Sequence, residues 1–393
     1  MAVRPFKIDI PGQTLDDLRR RLENTRWPDE VEEAGWEYGT NLDYLKEFVD
    51  YWRRVFDWRE QEAALNRLPH FRADVDGVGL HFIHARGKGK FSLPLILTHG
   101  YPDSFVRFLR VIPMLTDPER YGGDAEDSLD VIIPSLPGYG FSDRPRRHGM
   151  NVTRIAALFH KLMTEQLGYR RFAAQGGDWG SGVTRQLALD FPESLVGIHL
   201  TDVPAWMYVN DPPPDLSEAE RSYLVEVQNW GVEEGGYAMS QSTRPQSLAY
   251  AMNDSPAGLA AWIVEKFRAW SDCGGDLESR FRKDELLTNL TIYWATETAN
   301  SAFRIYYESQ RNPSSNARER VRTPTAVAIF PKDLAPAPPE FAERLCNLQR
   351  WTVMPRGGHF AAWEEPELFV EDVRAFFRAL REQQNRVREV RAF

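Results

Sequence analysis

The run Gly176-Gly177-Asp178-Trp179-Gly180 constrains this chain more than any other segment. Small residues on both sides of one functional side chain let a strand turn sharply into a helix and hold that side chain clear of the backbone. Gly and Asp also dominate ordinary turns, so the neighbours decide. Before the turn, Arg171-Phe172-Ala173-Ala174-Gln175 reads as a short buried strand. After it, Val183, Leu187, Leu189 and Phe191 supply apolar positions for a helix that stops before Pro192. Leu195-Val196-Gly197-Ile198-His199-Leu200 reads as the next strand. Strand, turn, helix, strand is the setting in which a nucleophile elbow is built.

The residue at the apex is Asp178, where the common hydrolase elbow carries Ser. A serine alkoxide suits acyl carbonyls. A carboxylate instead displaces a leaving group from saturated carbon and leaves an ester that water can cleave at its carbonyl. The apex therefore points away from esters and amides and toward alkyl electrophiles such as epoxides or haloalkanes. Ser181 is no rival nucleophile, because Trp179 and Val183 stand where its flanking glycines would be.

At 393 residues and 42% hydrophobic content, the chain can bury a large core, as one big domain or as a domain with an insertion. A formal net charge of −9 argues against a nucleic-acid partner, since phosphate backbones attract basic surfaces. Cys273 and Cys346 form neither a disulfide framework nor a metal-ligand pattern and read as packing residues. Met1 to Gln13 lacks the apolar region of a signal peptide, and no stretch reaches membrane-spanning length. A soluble, cytoplasmic protein without a membrane anchor is expected. Asn151-Val152-Thr153 and Asn289-Leu290-Thr291 would matter as glycosylation sites only on a secretory route. The charged tail from Arg378 to Arg391 reads as a solvated final helix.

Four zones follow from the pattern. Residues 1–72 look mainly helical, with Leu15, Leu18 and Leu22 at helical spacing behind a cap at Thr14, and Leu45, Phe48, Val49 and Trp52 further on. Residues 73–205 alternate strand and helix patterns. His81-Phe82-Ile83-His84, the run from Leu93 to Leu97 and Val131-Ile132-Ile133 are the clearest strands before the elbow. Residues 206–322, opened by Asp211-Pro212-Pro213-Pro214, break that rhythm with helical, aromatic-rich segments and read as an inserted lid. Residues 323–393 resume it, with strands at Thr325–Phe330 and Trp351–Met354 and a helix from Pro366. The fold class is α/β: a mostly parallel sheet flanked by helices, interrupted by a helical cap.

A carboxylate nucleophile turns over only if its ester is hydrolysed, which calls for a general base held by an acid. In this sheet class the order along the chain is nucleophile, acid, base. Asp333 follows one predicted strand and His359, in Arg356-Gly357-Gly358-His359-Phe360, follows the last. Catalytic groups gather at the carboxyl ends of parallel strands, and all three residues meet that condition. The loop His99-Gly100-Tyr101-Pro102 can aim the Tyr101 N–H at a developing oxyanion beside the N–H of Trp179, with His99 in a structural role. His81 and His84, three apart on a strand, face opposite sides, so no metal site is expected there.

Several runs together carry a family likeness: Phe6-Lys7-Ile8-Asp9-Ile10-Pro11, Leu18-Arg19-Arg20-Arg21-Leu22, Thr25-Arg26-Trp27-Pro28 and His99-Gly100-Tyr101-Pro102-Asp103-Ser104. The segment from Pro134 to Ser142, the elbow, Asn253-Asp254-Ser255-Pro256 and Gly357-Gly358-His359-Phe360 complete the set. On these the chain resembles, nearly end to end, the epoxide hydrolases of the α/β-hydrolase superfamily, in the microsomal-type branch with its own N-terminal domain. The resemblance implies an α/β-hydrolase fold, a small-molecule epoxide substrate, no metal or organic cofactor, and two lid tyrosines that grip the epoxide oxygen. Tyr237 matches the first and Tyr306 the second, with Tyr307 an adjacent competitor; the wall of the substrate pocket includes Tyr101 and Trp179. Many relatives carry Trp at the position of Tyr101, and the membrane anchor of the animal enzymes has no counterpart here. A homodimer remains open. Two other readings compete: a haloalkane or haloacid dehalogenase with Trp179 as halide donor, and a non-catalytic ligand-binding scaffold, which predicts a broken triad.

Overall fold

Among the described residues nine strands form one sheet, and the middle of it decides where the site lies. In chain order they are β1 (Arg4–Pro5), β2 (His70–Val75), β3 (Val78–Ala85), β4 (Leu93–Thr98), β5 (Leu129–Pro134), β6 (Phe172–Gly176), β7 (Leu195–Leu200), β8 (Val321–Ile329) and β9 (Cys346–Val353). The computed structural model describes residues 3–391, with side chains followed as far as Gln383. The spatial order is β1-β2-β3-β5-β4-β6-β7-β8-β9. The first three strands run antiparallel, and β3 joins β5 antiparallel. From β5 across to β9 every pairing is parallel. Strands β5 and β6 are buried along their whole length. Helices cover both faces of such a sheet, so these strands read as apolar runs rather than alternating ones.

The helix Trp179–Asp190 follows β6 at once and packs against β4, β6, β7 and β8. Val183 and Leu187 are fully buried, whereas Leu189 and Phe191 are half-buried. Between β7 and β8 lies a helical layer: Glu218–Glu233, Gly236–Thr243, Pro245–Asp254, Pro256–Ala269, Lys283–Ala295 and Ala299–Arg311. Ser255 ends one of these helices and caps the next, accepting the N–H of Gly258, which accounts for the Asn-Asp-Ser-Pro run.

The N-terminal helices Gly12–Glu23, Leu42–Arg54 and Trp58–Leu65 bury Leu15, Leu18, Leu22, Leu45, Phe48, Val49 and Trp52. They brace the helical layer: the Trp52 indole N–H donates to Thr291 Oγ1 (3.1 Å), Thr40 Oγ1 to the Ala261 carbonyl (2.6 Å) and the Tyr51 hydroxyl to Asp284 (3.0 Å). Thr14 does not cap the first helix. That helix starts at Gly12 behind Pro11, whose carbonyl accepts the Thr14 N–H, so Thr14 lies inside the first turn. The final helix, Pro366–Arg391, contains the charged tail; its side chains beyond Gln383 lie outside the described residues.

Candidate active site

The elbow is tight because two glycines and one strained residue make it so. Asp178 sits at φ 58°, ψ −130°, a conformation side-chain-bearing residues rarely adopt. Strain of this kind persists where the surrounding structure enforces it, typically at functional sites. A methyl group at Gly180 would collide with the Thr98 carbonyl, and one at Gly100 with the Asp178 carboxylate. Their absence lets β4 and the loop after it come up against Asp178. As a result the Tyr101 N–H donates to Asp178 Oδ1 at 2.8 Å. Trp179 opens the following helix, and a first-turn N–H has no partner within its helix.

Asp333 and His359, far apart in sequence, converge on Asp178. His359 Nδ1 lies 2.6 Å from Asp333 Oδ1, and Nε2 lies 3.3 Å from Asp178 Oδ2. The His359 side chain is 4% exposed. Burial opposes a charge on the imidazole, but the carboxylates of Asp333 and Asp178 outweigh it and push its pKa up to about 10. The ring is therefore an imidazolium at neutral pH.

The loop that carries His359 is clamped from three sides. Glu364 accepts the N–H groups of Gly358 (3.1 Å) and Phe360 (2.9 Å), and that of Asp272 from the helical layer (2.7 Å). The His359 N–H donates to the Trp270 carbonyl at 2.8 Å. Arg107 donates to the His359 carbonyl and pairs with Asp103 at 3.0 Å, and Asp103 in turn accepts the Gly100 N–H at 3.1 Å. The histidine loop and the Tyr101 loop are thus one network.

The two phenols named from the resemblance face each other. The Tyr237 and Tyr306 rings meet edge to face at 5.8 Å; Tyr306 is 4.8 Å from the Trp179 ring and Tyr237 is 5.0 Å from that of Trp270. Burial pushes both hydroxyls well above the ordinary tyrosine pKa, so both are neutral donors. Among the described residues the Tyr306 hydroxyl completes no hydrogen bond. Tyr307 points elsewhere, half-buried, with the Arg311 guanidinium 3.7 Å over its ring.

His99 is fully buried, bonding the Gly100 carbonyl (2.9 Å) and accepting the Leu136 N–H (3.1 Å). His81 lies between His70 (2.9 Å) and Ser135 (2.9 Å), whereas His84 bonds the Tyr169 hydroxyl (3.0 Å). Cys273 and Cys346 are buried thiols. Asn289 is buried too, donating to the Pro102 carbonyl (3.0 Å) behind the Tyr101 loop. Asp202 went unread in the sequence. It follows β7, accepts the Asp178 N–H (3.1 Å) and the Ser181 hydroxyl, and so backs the elbow. Burial, with Asp333 close by, pushes its carboxyl up to about 7. The carboxyl-end rule that found Asp333 applies equally to the end of β7 and would have found it.

A parallel sheet with a carboxylate on its elbow and an imidazole–carboxylate pair against it has the arrangement of an α/β-hydrolase. The family profile described as epoxide hydrolase N terminus matches residues 3–108, and that of the alpha/beta hydrolase fold matches residues 94–232. A Stigmatella aurantiaca protein that carries the epoxide hydrolase name provisionally is 47% identical over 97% of this chain and 86% of its own. Epoxide hydrolase 1 of Sus scrofa is 37% identical over 97% of this chain and 90% of its own. The crystal structure of juvenile hormone epoxide hydrolase from Bombyx mori superposes with a TM-score of 0.87 at 32% identity, covering 98% of this chain and 96% of that one. The chain belongs to the epoxide hydrolase family. Among the described residues no helix is long and apolar enough to cross a membrane.

Proposed function

We propose that this epoxide hydrolase works through an alkyl ester on Asp178. The carboxylate attacks an epoxide carbon from the back side and breaks its bond to oxygen, while Tyr237 and Tyr306 donate to that oxygen and one of them protonates it. Ester formation removes the negative charge of Asp178, one of the two charges that keep His359 protonated. The imidazolium then gives up its proton, which restores the tyrosine phenolate to the phenol, and the neutral imidazole serves as base, held by Asp333. Water loses a proton to Nε2 and adds to the ester carbonyl of Asp178. The N–H groups of Tyr101 and Trp179 stabilise the tetrahedral oxyanion. Its collapse breaks the acyl–oxygen bond, releases a vicinal diol and leaves the water oxygen in the Asp178 carboxylate.

The observation that carries this reading is the placing of a carboxylate nucleophile between an imidazole 3.3 Å away and a pair of buried neutral phenols, one with an unpartnered hydroxyl. A single turnover in oxygen-18 water tests it. The first diol released carries the unlabelled oxygen of Asp178, and the label appears in the enzyme. Label in the first-turnover diol would mean direct attack by water and would contradict the ester route.

A further inference from the structure

Gln241 follows Tyr237 by one turn on the buried face of the helix Gly236–Thr243 and is fully buried. Among the described residues neither end of its carboxamide has a hydrogen-bond partner. The buried indole Nε1 of Trp262 and the hydroxyl of Tyr101 are also unpartnered. These groups are neighbours: the Gln241 carboxamide and the Trp262 N–H lie beside the Tyr101 hydroxyl, yet none completes a bond in good geometry. Leaving buried polar groups unpaired is costly, so unsatisfied groups in a native fold call for an explanation.

The cluster is rich in donors. A carboxamide offers a pair of N–H groups, the indole one and the phenol one, against only the amide oxygen and the phenol oxygen as acceptors. Even the fullest internal pairing leaves an N–H of Gln241 free. The cluster lies beside the pair of lid phenols. The Tyr101 ring stacks parallel to Tyr237 at 6.1 Å and meets Tyr306 edge to face at 5.6 Å. Carboxylates, Asp178 and Glu265, supply the charges that act on Tyr101, which disfavours an anionic ligand.

We propose that Gln241, Trp262 and the Tyr101 hydroxyl form a polar subsite for a neutral acceptor oxygen, a ketone, ester or amide carbonyl, carried by the epoxide substrate. The inference rests on the epoxide-hydrolase reading and narrows it to a substrate class. One helical turn separates Gln241 from Tyr237, so the carbonyl lies about 5–6 Å from the epoxide oxygen, a separation of about four bonds.

The test compares a straight-chain terminal epoxide with the same chain bearing a ketone about four bonds from the ring. Wild type favours the keto epoxide in kcat/KM by about tenfold, the value of one good hydrogen bond. Gln241→Leu brings the ratio to about one, and Trp262→Phe, which keeps an aromatic ring and removes only the N–H, lowers it. A wild-type ratio at or below one overturns the subsite, as does a ratio that neither variant alters. Hydrolysis of the plain epoxide alone would leave the parent reading standing and sink the subsite. Hydrolysis of neither would overturn both.

Discussion

His359 Nε2 stands 3.3 Å from the Oδ2 of Asp178, so on the proposed ester route the base of the second half-reaction is the counter-ion of the nucleophile in the first. On that route the roles are separated in time by charge. While Asp178 is a carboxylate, the imidazole is held charged; once Asp178 is an ester, that hold weakens.

This coupling predicts a pH signature. The resting pKa of His359, about 10, lies above the value near 6.5 of a free imidazole. The stability from the pair is therefore complete below about pH 6.5 and is lost as pH rises through about 10. Melting temperature against pH should show this loss in wild type and, because Asp333 still holds the imidazole, a smaller loss at lower pH in Asp178→Asn. The hydrolysis half-reaction, followed by rapid-mixing fluorescence, should titrate at a lower pH than the resting histidine does by NMR. A resting His359 that titrates near 6.5 would contradict the account.

Tyr237→Phe and Tyr306→Phe should each slow ester formation, and the double variant by about a hundredfold to ten-thousandfold, the range typical of a lost proton donor. Ester hydrolysis should be affected far less. Tyr307→Phe should be close to wild type, because that ring lies under Arg311. Equal loss in Tyr307→Phe would show that the wrong phenol has been assigned.

Glu364 is a prediction about architecture. Glu364→Ala orphans the N–H groups of Gly358, Phe360 and Asp272, each at a cost of about 1–3 kcal/mol. Glu364→Gln, with its remaining oxygen on the Gly358 and Asp272 side, keeps those bonds and loses the one to Phe360. The melting temperature should fall in the order wild type, Gln, Ala. Equal stability of the variants would show that the clamp contributes nothing.

Asp202→Ala should weaken the elbow without removing any reacting group. It takes away the acceptor for the Asp178 N–H and the Ser181 hydroxyl. The outcome is a fall in the rate of ester formation, with Asp202→Asn, which keeps an acceptor oxygen, restoring most of it. An Asp202→Ala enzyme with wild-type kinetics would remove the residue from the account.

Asp178, Asp333 and His359 were readable in the chain because each sits in a short motif at the end of an apolar strand run, where local pattern and topology coincide. Their meeting is a property of the parallel sheet. Glu364 was not readable, since its partners are backbone N–H groups, which leave no mark on composition, and one of them, at Asp272, comes from a different layer. Asp202 stands just past β7 and is within reach of the rule that found Asp333. The cap expected at Thr14 failed for a related reason: Thr there had the right side chain, but Pro11, already set at φ −57°, starts the helix earlier through its carbonyl. The resemblance favours Tyr306 with Tyr307 as an adjacent competitor, and the two lie on different helix faces: Tyr306 packs against Tyr237, whereas Tyr307 lies under Arg311.

The most direct test of the ester on Asp178 is the intact mass of a His359→Gln variant incubated with epoxide. Without its base the enzyme should stall with a mass increase equal to one whole epoxide, and Asp178→Ala introduced beside it should abolish that adduct. An adduct that survives Asp178→Ala, or rapid diol formation by His359→Gln with no adduct at all, would contradict the account.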